Sequence, residues 1–552
     1  MINILKYNDA EGKKLIEGLL SRSQLEYGDV QEKVNAIIAD IKANGDKALF
    51  EYTKKFDKFD VNADNILVTE EEVKEAYTKV DPELVEVIKK SAERIRAFHE
   101  KQKMNSWLEP SKNGEMLGQL IRPLARVGVY VPGGKAAYPS SVLMNIMPAN
   151  VAGVEEIIMT TPPSAEGKIN PTTIVAADIA GVHKIYKAGG AQAVAALAFG
   201  TESIPKVDKI VGPGNIFVAL AKRSVYGYVN IDSVAGPSEI LILADESANP
   251  VYVAADLLSQ AEHDELASAV LITTSESLAN EVQKEVEKQT AVLERKGIIE
   301  KSLDNYGAII LVKDFDEATT LSNAIAPEHM EVCIKEPFGL LPKIQNAGAI
   351  FLGHFTPEPL GDYMAGPNHV LPTGGTARFF SPLSIDDYIK KSSIISFSED
   401  ALKALGKDTL IFDIDNTLVP YWIKTPTDEL RVYFNSLRES GIKIAVLSNS
   451  KEIRSKTFCE EMGIPYYYRA KKPATEGMKK LLKKIGSKAE NSVIVGDQIF
   501  TDVWCGNKCG VYSVLVKQVS PKDELITAPK RPFEKIVLYF YLRRKRKEEN
   551  NG

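Results

Sequence analysis

The chain has 552 residues, of which 44% are hydrophobic and 26% are charged, and its formal net charge is -6. This acidic balance argues against nucleic acid as a partner, and four cysteines are too few for a disulfide framework. No apolar run approaches the roughly 20 residues of a membrane span, and the first residues lack a secretory signal. We therefore expect a cytoplasmic protein of about three or four domains.

The first part of the chain has a helical pattern that later changes its period. Apolar residues recur at helical spacing up to about residue 103, which predicts an N-terminal helical subdomain over 1–116. Over 117–376, short β-branched runs such as RVGVYV and SEILILAD alternate with helical stretches. This alternation predicts two Rossmann-like parallel-sheet domains with a cleft between them.

A second α/β pattern follows after a less regular stretch. Residues 377–406 carry no strong fold signal and are interpreted as a junction. The runs TLIFDIDNTLV, GIKIAVLSNS and NSVIVGDQIFTDV then predict a separate Rossmann-like domain over 407–529, followed by a basic, aromatic tail over 530–552. The predicted fold class is therefore α/β throughout.

Four polar clusters interrupt the apolar pattern of the first α/β region. They are Gln260 with His263, the dipeptide Glu328-His329, Asp362, and His369. Imidazole, carboxylate and amide oxygen suit zinc, and a Glu-His dipeptide can place a base and a proton carrier at one substrate carbon. The first two lie three residues apart on a predicted helix, so both can face one ion. Taken singly, each of these histidines is more often a core or surface residue.

A glycine-rich turn follows the predicted strand RVGVYV. In the stretch GVYVPGGKAAYPSS, residues 128–141, glycines let backbone N–H groups approach a phosphate or a nicotinamide cofactor. The stretch lacks the GxGxxG fingerprint, so a tight structural turn is the alternative interpretation.

Several long stretches of the chain resemble the histidinol dehydrogenase family. They are SQAEHDE, APEHMEV, GDYMAGPNHVLPTGG, AGPSEILI and AGGAQAVAALAFGTESIPKVDKIVGPGN. The resemblance covers about residues 1–406. It implies a homodimer that uses zinc and two NAD in turn to oxidise a small molecule, L-histidinol, by four electrons to L-histidine.

The resemblance also implies a role for each matching residue. The NAD site would contain Tyr130, Gln192 and Asn215. The zinc ligands would be Gln260, His263 and Asp362, which also contact the substrate. Glu328 and His329 would be the catalytic pair, and further substrate contacts would come from Ser238 and His369. His329 would take the hydroxyl proton, and Glu328 would activate the water that adds to the aldehyde.

The chain departs from the family pattern after Gly406. In the family, the following segment carries a substrate-binding glutamate and a histidine that completes the zinc site across the dimer. Here SFSEDALKALG passes directly into KDTLIFDIDNT, and no histidine follows His369. With three protein ligands, we expect a weaker and more open zinc site and strongly impaired catalysis.

The separate C-terminal domain carries four motifs in the order that HAD-superfamily phosphatases require. Asp413 ends a strand as the nucleophile, and Asp415, two residues on, is the expected general acid/base. Ser448 would hold a phosphoryl oxygen and Lys472 would neutralise it. The expected Mg²⁺ ligands are Asp413, Asp415, Asp497 and Asp502. A lone DxD is usually a solvated turn, but four ordered motifs favour the catalytic interpretation.

Two details refine the phosphatase interpretation. The stretches DIDNTLVPY, GDQIFTDV and RPFEK resemble short-cap phosphatases related to phosphatidylglycerophosphate phosphatase, and the interval from Asp413 to Ser448 is too short for a large cap. Over 530–547, eight basic residues and one acidic residue surround IVLYFYL. This segment predicts either peripheral contact with an anionic membrane or a final helix with a solvated tail.

Three hypotheses for the whole chain remain open. In the first, both regions are active and the protein is a bifunctional enzyme. In the second, a HAD phosphatase is carried on a dehydrogenase scaffold that no longer oxidises its substrate. In the third, the chain is an accidental join of two genes, each shortened at the seam, which sequencing across the seam would test.

Overall fold

The structure is a computed structural model that describes most of the chain. The described residues are 2–21, 28–110, 115–133, 139–234, 236–398, 406–520, 529, 531–534 and 536–538. The chain divides into two compact units, Met1–Asn105 with Ile121–Ser392, and Ser106–Leu120 with Ser393–Gly552. Within the described ranges, no helix is both long enough and apolar enough to cross a membrane.

Short strands and helices alternate through most of the chain. In chain order, the strands are β1 (Asn3–Lys6), β2 (Trp107–Pro110), β3 (Glu115–Pro123), β4 (Arg126–Tyr130), β5 (Glu156–Thr161), β6 (Lys184–Lys187), β7 (Lys209–Val211), β8 (Asn230–Ile231), β9 (Glu239–Ala244), β10 (Ser268–Thr273), β11 (Gly307–Leu311), β12 (His329–Cys333), β13 (Ala349–Leu352), β14 (Ile389–Phe397), β15 (Thr409–Phe412), β16 (Lys443–Leu447), β17 (Tyr466–Tyr467), β18 (Ser492–Gly496) and β19 (Tyr512–Leu515).

The helices separate these strands. In chain order, they are α1 (Ala10–Ser21), α2 (Gly28–Phe56), α3 (Glu70–Lys79), α4 (Pro82–Glu100), α5 (Pro139–Ala152), α6 (Pro171–Ala180), α7 (Gly190–Phe199), α8 (Ile216–Val225), α9 (Pro250–Ala261), α10 (Glu276–Thr290), α11 (Lys296–Tyr306), α12 (Phe315–Ile325), α13 (Pro337–Leu340), α14 (Glu358–Leu360), α15 (Asp428–Glu439), α16 (Glu452–Glu460), α17 (Glu476–Ile485) and α18 (Trp504–Cys509).

The first unit contains two parallel sheets with the same underlying strand order. One sheet runs β6-β5-β4-β7-β8, and the other runs β1-β11-β10-β9-β12-β13. Apart from β1, each places its strands in the order third, second, first, fourth, fifth, which is the arrangement of a Rossmann domain. Buried apolar clusters lie on both faces of each sheet, as doubly wound folds require. The predicted α/β fold class is confirmed.

The N-terminal segment predicted as a helical subdomain is built into both of these sheets. Strand β1 pairs in parallel with β11, with Asn3 opposite Ala308, and so extends the second sheet. Helices α2 and α4 pack on opposite faces of the first sheet through buried residues such as Leu49 and Ile95. A four-residue strand whose partner lies far along the chain leaves no local periodic signal, so the sequence pattern did not reveal it.

The predicted junction over 377–406 also contains regular structure. Strand β14 joins a three-stranded sheet of order β14-β3-β2, in which β2 and β3 are antiparallel. Most side chains of β14 are exposed or half-buried, so its sequence lacks the apolar run of a buried strand.

The second unit contains a five-stranded parallel sheet of order β17-β16-β15-β18-β19. Apolar clusters cover both of its faces, which agrees with the separate Rossmann-like domain predicted for this part of the chain. Most of the basic tail lies outside the described residues, so its predicted membrane contact stays a prediction.

Asparagine or aspartate followed by proline starts several helices. Asn249 caps α9 by accepting the backbone N–H of Val251, and Pro250 takes the first helical position, where no N–H is needed. The same arrangement starts α4 and α6. The sequence thus fixes where α9 begins, and its twelve residues place Gln260 and His263 at its far end.

Candidate active sites

The amino ends of two neighbouring strands bring the predicted catalytic residues together. Strands β9 and β12 are parallel, with His329 opposite Ile240, and Ser238 immediately precedes β9. Because parallel strands begin at the same edge of a sheet, Ser238, Glu328 and His329 lie near one another. We call this region, together with Glu358, Asp362 and His369, the amino-edge site.

The backbone N–H and carbonyl of one residue, Glu239, anchor both members of the Glu-His dipeptide. The backbone N–H of Glu239 donates to Glu328 Oε2 at 2.9 Å, and His329 Nδ1 lies 3.1 Å from the carbonyl oxygen of Glu239. Because a carbonyl oxygen only accepts, Nδ1 of His329 carries a proton in either charge state, and Nε2 is the nitrogen that gains or loses one. This Nε2 is enclosed and has no hydrogen-bond partner in the described part of the chain.

Carboxylates and a second histidine surround that nitrogen. Asp362 Oδ1 lies 3.4 Å from Nε2 of His329, without the alignment of a hydrogen bond, and Asp362 Oδ2 lies 3.6 Å from His369 Nδ1. One ligand atom from each of His329, Glu358 and Asp362 lies within 4.8 Å of the others. The three side chains are close enough to share one cation.

Burial and mutual charge shift the pKa values in this site. Burial raises the pKa of Glu328 to about 8 and that of Glu358 to about 7. Burial opposes the charged form of His329, but the carboxylates of Glu328 and Asp362 raise its pKa to about 10. Burial lowers the pKa of His369. Such a concentration of enclosed acids and imidazoles is typical of functional sites.

The two remaining predicted zinc ligands lie at the C-terminal end of α9. Gln260 is buried, and the backbone N–H of His263 donates to its carbonyl oxygen at 3.1 Å. Burial lowers the pKa of His263, and the charges of Asp362 and His329 also act on it. His263 follows the end of α9 by two residues and is therefore not on the helix as predicted, and it is not one of the three residues within 4.8 Å of one another.

The donor set of the amino-edge site fits zinc. Imidazole nitrogens and carboxylate oxygens are available there, and an enclosed imidazole nitrogen has no other partner among the described residues. The sequence patterns did not identify Glu358. Its position four residues before Asp362, on the same side of a helical turn, is the signal that would have revealed it.

The predicted cofactor residues lie at the carboxyl edge of the first parallel sheet, where its strands end. Tyr130 is the last residue of β4, Asn215 follows β7 and caps α8, and Gln192 lies in the first turn of α7. The strand order reverses between β4 and β7, and nucleotides bind at such switch points. The Gly190 N–H donates to the Tyr130 hydroxyl at 3.1 Å, while Gln192 Nε2 is buried without a partner among described residues. These features fit a dinucleotide.

A buried ion pair holds the turn beside Tyr130. Lys222 pairs with Asp232, and its Nζ also donates to the Gly212 carbonyl at 2.9 Å. The Gly212 N–H donates to Asp232 Oδ2 at 2.8 Å. Gly212 has φ +114°, and a Cβ there would lie 2.0 Å from the Tyr130 carbonyl oxygen. Only glycine therefore fits between the two strands.

The predicted phosphatase residues meet at the carboxyl edge of the third parallel sheet. Lys472 Nζ lies 2.8 Å from Asp413 Oδ1 and 2.5 Å from Asp502 Oδ1, and all three side chains are buried. Burial raises the pKa of Asp413 to about 8, although Lys472 opposes this shift. One carboxylate oxygen from each of Asp413, Asp497 and Asp502 lies within 4.8 Å of the others. Clustered carboxylates of this kind fit Mg²⁺.

The other two predicted phosphatase residues line the same edge. Arg454 donates to Asp415 Oδ1 from Nε at 3.1 Å and from Nη2 at 2.9 Å, and Ser450 also bonds this carboxylate. Ser448 is buried at the end of β16, where its Oγ accepts the Ser450 N–H at 3.1 Å. Asp415 is thus held by Arg454, a residue that the sequence patterns did not single out.

A C-terminal arginine contacts this cluster of predicted phosphatase residues. Arg531 Nη1 donates to the Asp497 carbonyl at 2.7 Å and to Glu534 Oε2 at 3.0 Å, and Nη2 pairs with the Asp497 carboxylate. Glu534 Oε1 accepts the Phe500 N–H at 3.1 Å. The RPFEK stretch therefore fixes one of the clustered carboxylates, and one basic residue of the tail is engaged there.

Known proteins resemble both regions of the chain. A family model for histidinol dehydrogenase matches residues 20–413. A histidinol dehydrogenase of Clostridium acetobutylicum is 56% identical over 73% of this chain and 93% of that protein. The crystal structure of histidinol dehydrogenase from Elizabethkingia anophelis superposes with a TM-score of 0.69 at 39% identity, over 74% of this chain and 92% of that one.

This chain belongs to the histidinol dehydrogenase family. That confirms the family resemblance, and with it an oxidoreductase of histidine biosynthesis acting on a small molecule. A second family model, for HAD-hydrolase-like proteins, matches residues 469–538, a range that contains Lys472, Asp497 and Asp502 but begins after Asp413. The chain therefore joins a histidinol dehydrogenase region to a HAD-hydrolase-like region. The narrower resemblance to phosphatidylglycerophosphate phosphatase stays a prediction.

Proposed function

We propose that the histidinol dehydrogenase region oxidises L-histidinol to L-histidine with NAD and zinc. The observation that carries the proposal is the backbone of Glu239, whose N–H and carbonyl orient Glu328 and His329 beside an enclosed cluster of metal-ligating groups. Zinc, when bound, would position the imidazole and amine of the substrate, and NAD would accept hydride. Gln260, His263 and Asp362 are the proposed zinc ligands.

The chain's own residues account for the proton transfers. Nδ1 of His329 is held by a carbonyl, so in the neutral imidazole Nε2 would take the hydroxyl proton of the substrate. Glu328, held by one backbone N–H, would in its ionised form take a proton from the water that adds to the aldehyde. Tyr130, Gln192 and Asn215 would hold the nicotinamide cofactor, and Ser238 and His369 would contact the substrate.

Purified full-length chain tests this proposal. With L-histidinol, NAD and added Zn²⁺, NADH should form, and a chelator should stop its formation. Glu328→Gln should slow NADH formation, whereas Glu246→Gln, at an exposed position in the same unit, should not. If zinc-loaded protein forms no NADH, oxidation by this region is refuted.

A second proposal concerns the C-terminal region. We infer a Mg²⁺-dependent phosphatase in which Asp413 attacks phosphorus and Asp415 protonates the leaving group, with Ser448 and Lys472 holding phosphoryl oxygens. The supporting observation is the buried group of three carboxylates with Lys472 among them. Mg²⁺, when bound, would offset the charge of the phosphate and the carboxylates. Asp413→Asn should abolish phosphate release from p-nitrophenyl phosphate, and release that persists would contradict the assignment.

The family departure after Gly406 favours an alternative arrangement of these activities. A chain without a histidine beyond His369 would carry an active phosphatase on a dehydrogenase region that binds NADH but does not oxidise histidinol. Phosphate release without NADH formation would identify this case. The family resemblance also supports a homodimer, which light scattering on the purified chain would test.

A further inference from the structure

An acidic side chain outside the predicted cofactor residues faces the same part of the fold. Asp57 follows the last residue of α2 and is one of the residues that line a cavity of about 710 Å³. Its Oδ2 is enclosed by protein and has no hydrogen-bond partner among the described residues. Burial raises the pKa of Asp57 to about 6, and a hydrogen bond from the Gly189 N–H opposes that shift.

Asp57 shares the N-terminus of α7 with two predicted cofactor residues. The Gly189 N–H interacts with the Asp57 carboxylate, and the next N–H, of Gly190, donates to the Tyr130 hydroxyl. Burial and the charge of Asp57 raise the pKa of Tyr130 to about 12. Gln192, in the first turn, has its own unpaired Nε2. Two unsatisfied polar groups and a tyrosine hydroxyl therefore converge at one helix end.

A buried polar atom without a hydrogen-bond partner raises the free energy of the folded protein. The unpaired Asp57 Oδ2 and Gln192 Nε2 therefore indicate a ligand that bonds both atoms. A carboxylate oxygen needs a donor, such as a hydroxyl group, whereas an amide Nε2 needs an acceptor. A phosphate group beside Asp57 would face like-charge repulsion at low dielectric. The side chain therefore favours a neutral, hydroxyl-bearing part of a ligand.

Three prolines form part of the cavity wall, namely Pro132, Pro162 and Pro163. A Cβ on Gly133 or Gly189 would approach Pro162 to 2.4 or 2.5 Å, so the loops are closely packed around that proline. Among the described lining residues the one cation is Lys168, whose Nζ lies 3.5 Å from Glu75 Oε2.

We propose that Asp57 binds the hydroxyl groups of the adenosine ribose of NAD and excludes NADP, which carries a phosphate on the 2′-oxygen. The inference rests on the proposed NAD-dependent function and adds a residue that determines cofactor choice. In Rossmann proteins an acidic residue about 20 positions after the glycine-rich turn performs this task. Here the acid precedes the turn in sequence and arrives from a helix of the N-terminal segment, so motif spacing does not reveal it.

Direct binding of NADH and NADPH to the full-length chain tests the inference without turnover. The wild type should bind NADH at least about 100-fold more tightly than NADPH, because a ribose hydroxyl bonded to a carboxylate is replaced by a repelled phosphate. Asp57→Asn, which keeps the shape and removes the charge, should reduce that ratio by about tenfold or more. Asp60→Asn removes an exposed charge three residues away and should leave the ratio unchanged.

A second measurement needs no variant. NADH lacking the 2′-hydroxyl should bind the wild type about tenfold more weakly than NADH. Equal binding of the two, or an unchanged NADH-to-NADPH ratio in a folded Asp57→Asn protein, would overturn the role of Asp57 while leaving NAD dependence intact. Failure of the wild type to bind NADH at all would instead refute the proposed cofactor itself.

Discussion

The two parallel sheets of the first unit have the same strand order but use opposite edges. In the first sheet, Tyr130, Gln192 and Asn215 lie where strands end and helices begin. In the second sheet, Glu328 and His329 lie where β12 begins, near the C-terminal end of α9. One topology thus presents two chemically different edges.

Helix polarity explains why the edges suit different ligands. Helix N-termini carry a partial positive charge and free N–H groups, so the carboxyl edge of a sheet favours an anionic dinucleotide. Helix C-termini carry partial negative charge, so the amino edge favours a cation. In the third sheet, side-chain charge outweighs helix polarity. Its carboxyl edge holds three buried carboxylates, two of which pair with Lys472.

The largest expected effect separates chemistry at the amino edge from binding at the carboxyl edge. His329→Gln should lower the rate of NADH formation by about 100- to 10,000-fold, because a positioned proton acceptor is lost. NADH affinity should remain unchanged, because His329 lies on the second sheet and the predicted cofactor residues lie on the first. Initial rates and a binding titration measure the two quantities, and a parallel loss of both would break the comparison.

The carboxyl edge should depend on its buried ion pair. Lys222→Ala leaves Asp232 buried without its cation and should destabilise the first unit by about 3–5 kcal/mol. Urea unfolding, followed at the transition that NADH shifts, measures the change. The control is Lys301→Ala, whose partner Glu265 is exposed, with an expected cost below about 1 kcal/mol. If both variants lowered the free energy of unfolding by similar amounts, the buried Lys222–Asp232 pair would contribute no more to stability than an exposed pair.

Two glycines allow each edge to be perturbed separately. A Cβ on Gly212 would lie 2.0 Å from the Tyr130 carbonyl oxygen, and a Cβ on Gly348 would lie 2.5 Å from that of Glu328. Overpacking of this size costs about 1–3 kcal/mol. Gly212→Ala should therefore weaken NADH binding about tenfold and leave Zn²⁺ affinity unchanged. Gly348→Ala should weaken Zn²⁺ binding about tenfold and leave NADH affinity unchanged.

Calorimetric titrations with NADH and with Zn²⁺ measure both effects of these glycine substitutions. Gly297→Ala, where a Cβ meets nothing within 4 Å, serves as the control. If either glycine variant bound NADH and Zn²⁺ more weakly by the same factor, the two edges would not be independent.

The last prediction tests the exception formed by the third sheet. Arg531→Ala removes the guanidinium that orients Asp497 and should raise the Mg²⁺ concentration needed for half-saturation about tenfold. Arg431→Ala, which removes a surface pair with Glu461, should have no effect. Magnesium titration calorimetry gives the result directly, and equal affinities would exclude a positioning role.

Local patterns predicted much of the fold and part of each site. Alternating apolar strands and helices predicted parallel sheets, and the motif DIDNT predicted the strand end that carries Asp413. Glu358 belongs to no motif that the sequence revealed, and Arg531 lies in the RPFEK stretch but received no role. Their importance comes from neighbours in space, namely His329 with Asp362, and Asp497.

The sequence by itself determined the element types, because apolar periodicity and helix caps act over a few residues. It also identified the Glu-His dipeptide and the ordered aspartates by their chemistry. Only the tertiary structure decided which edge each sheet uses, how β1 completes a sheet begun far along the chain, and that Asp57 meets Tyr130 at one helix end. These outcomes depend on long-range pairing and shared burial, which no short window of sequence encodes.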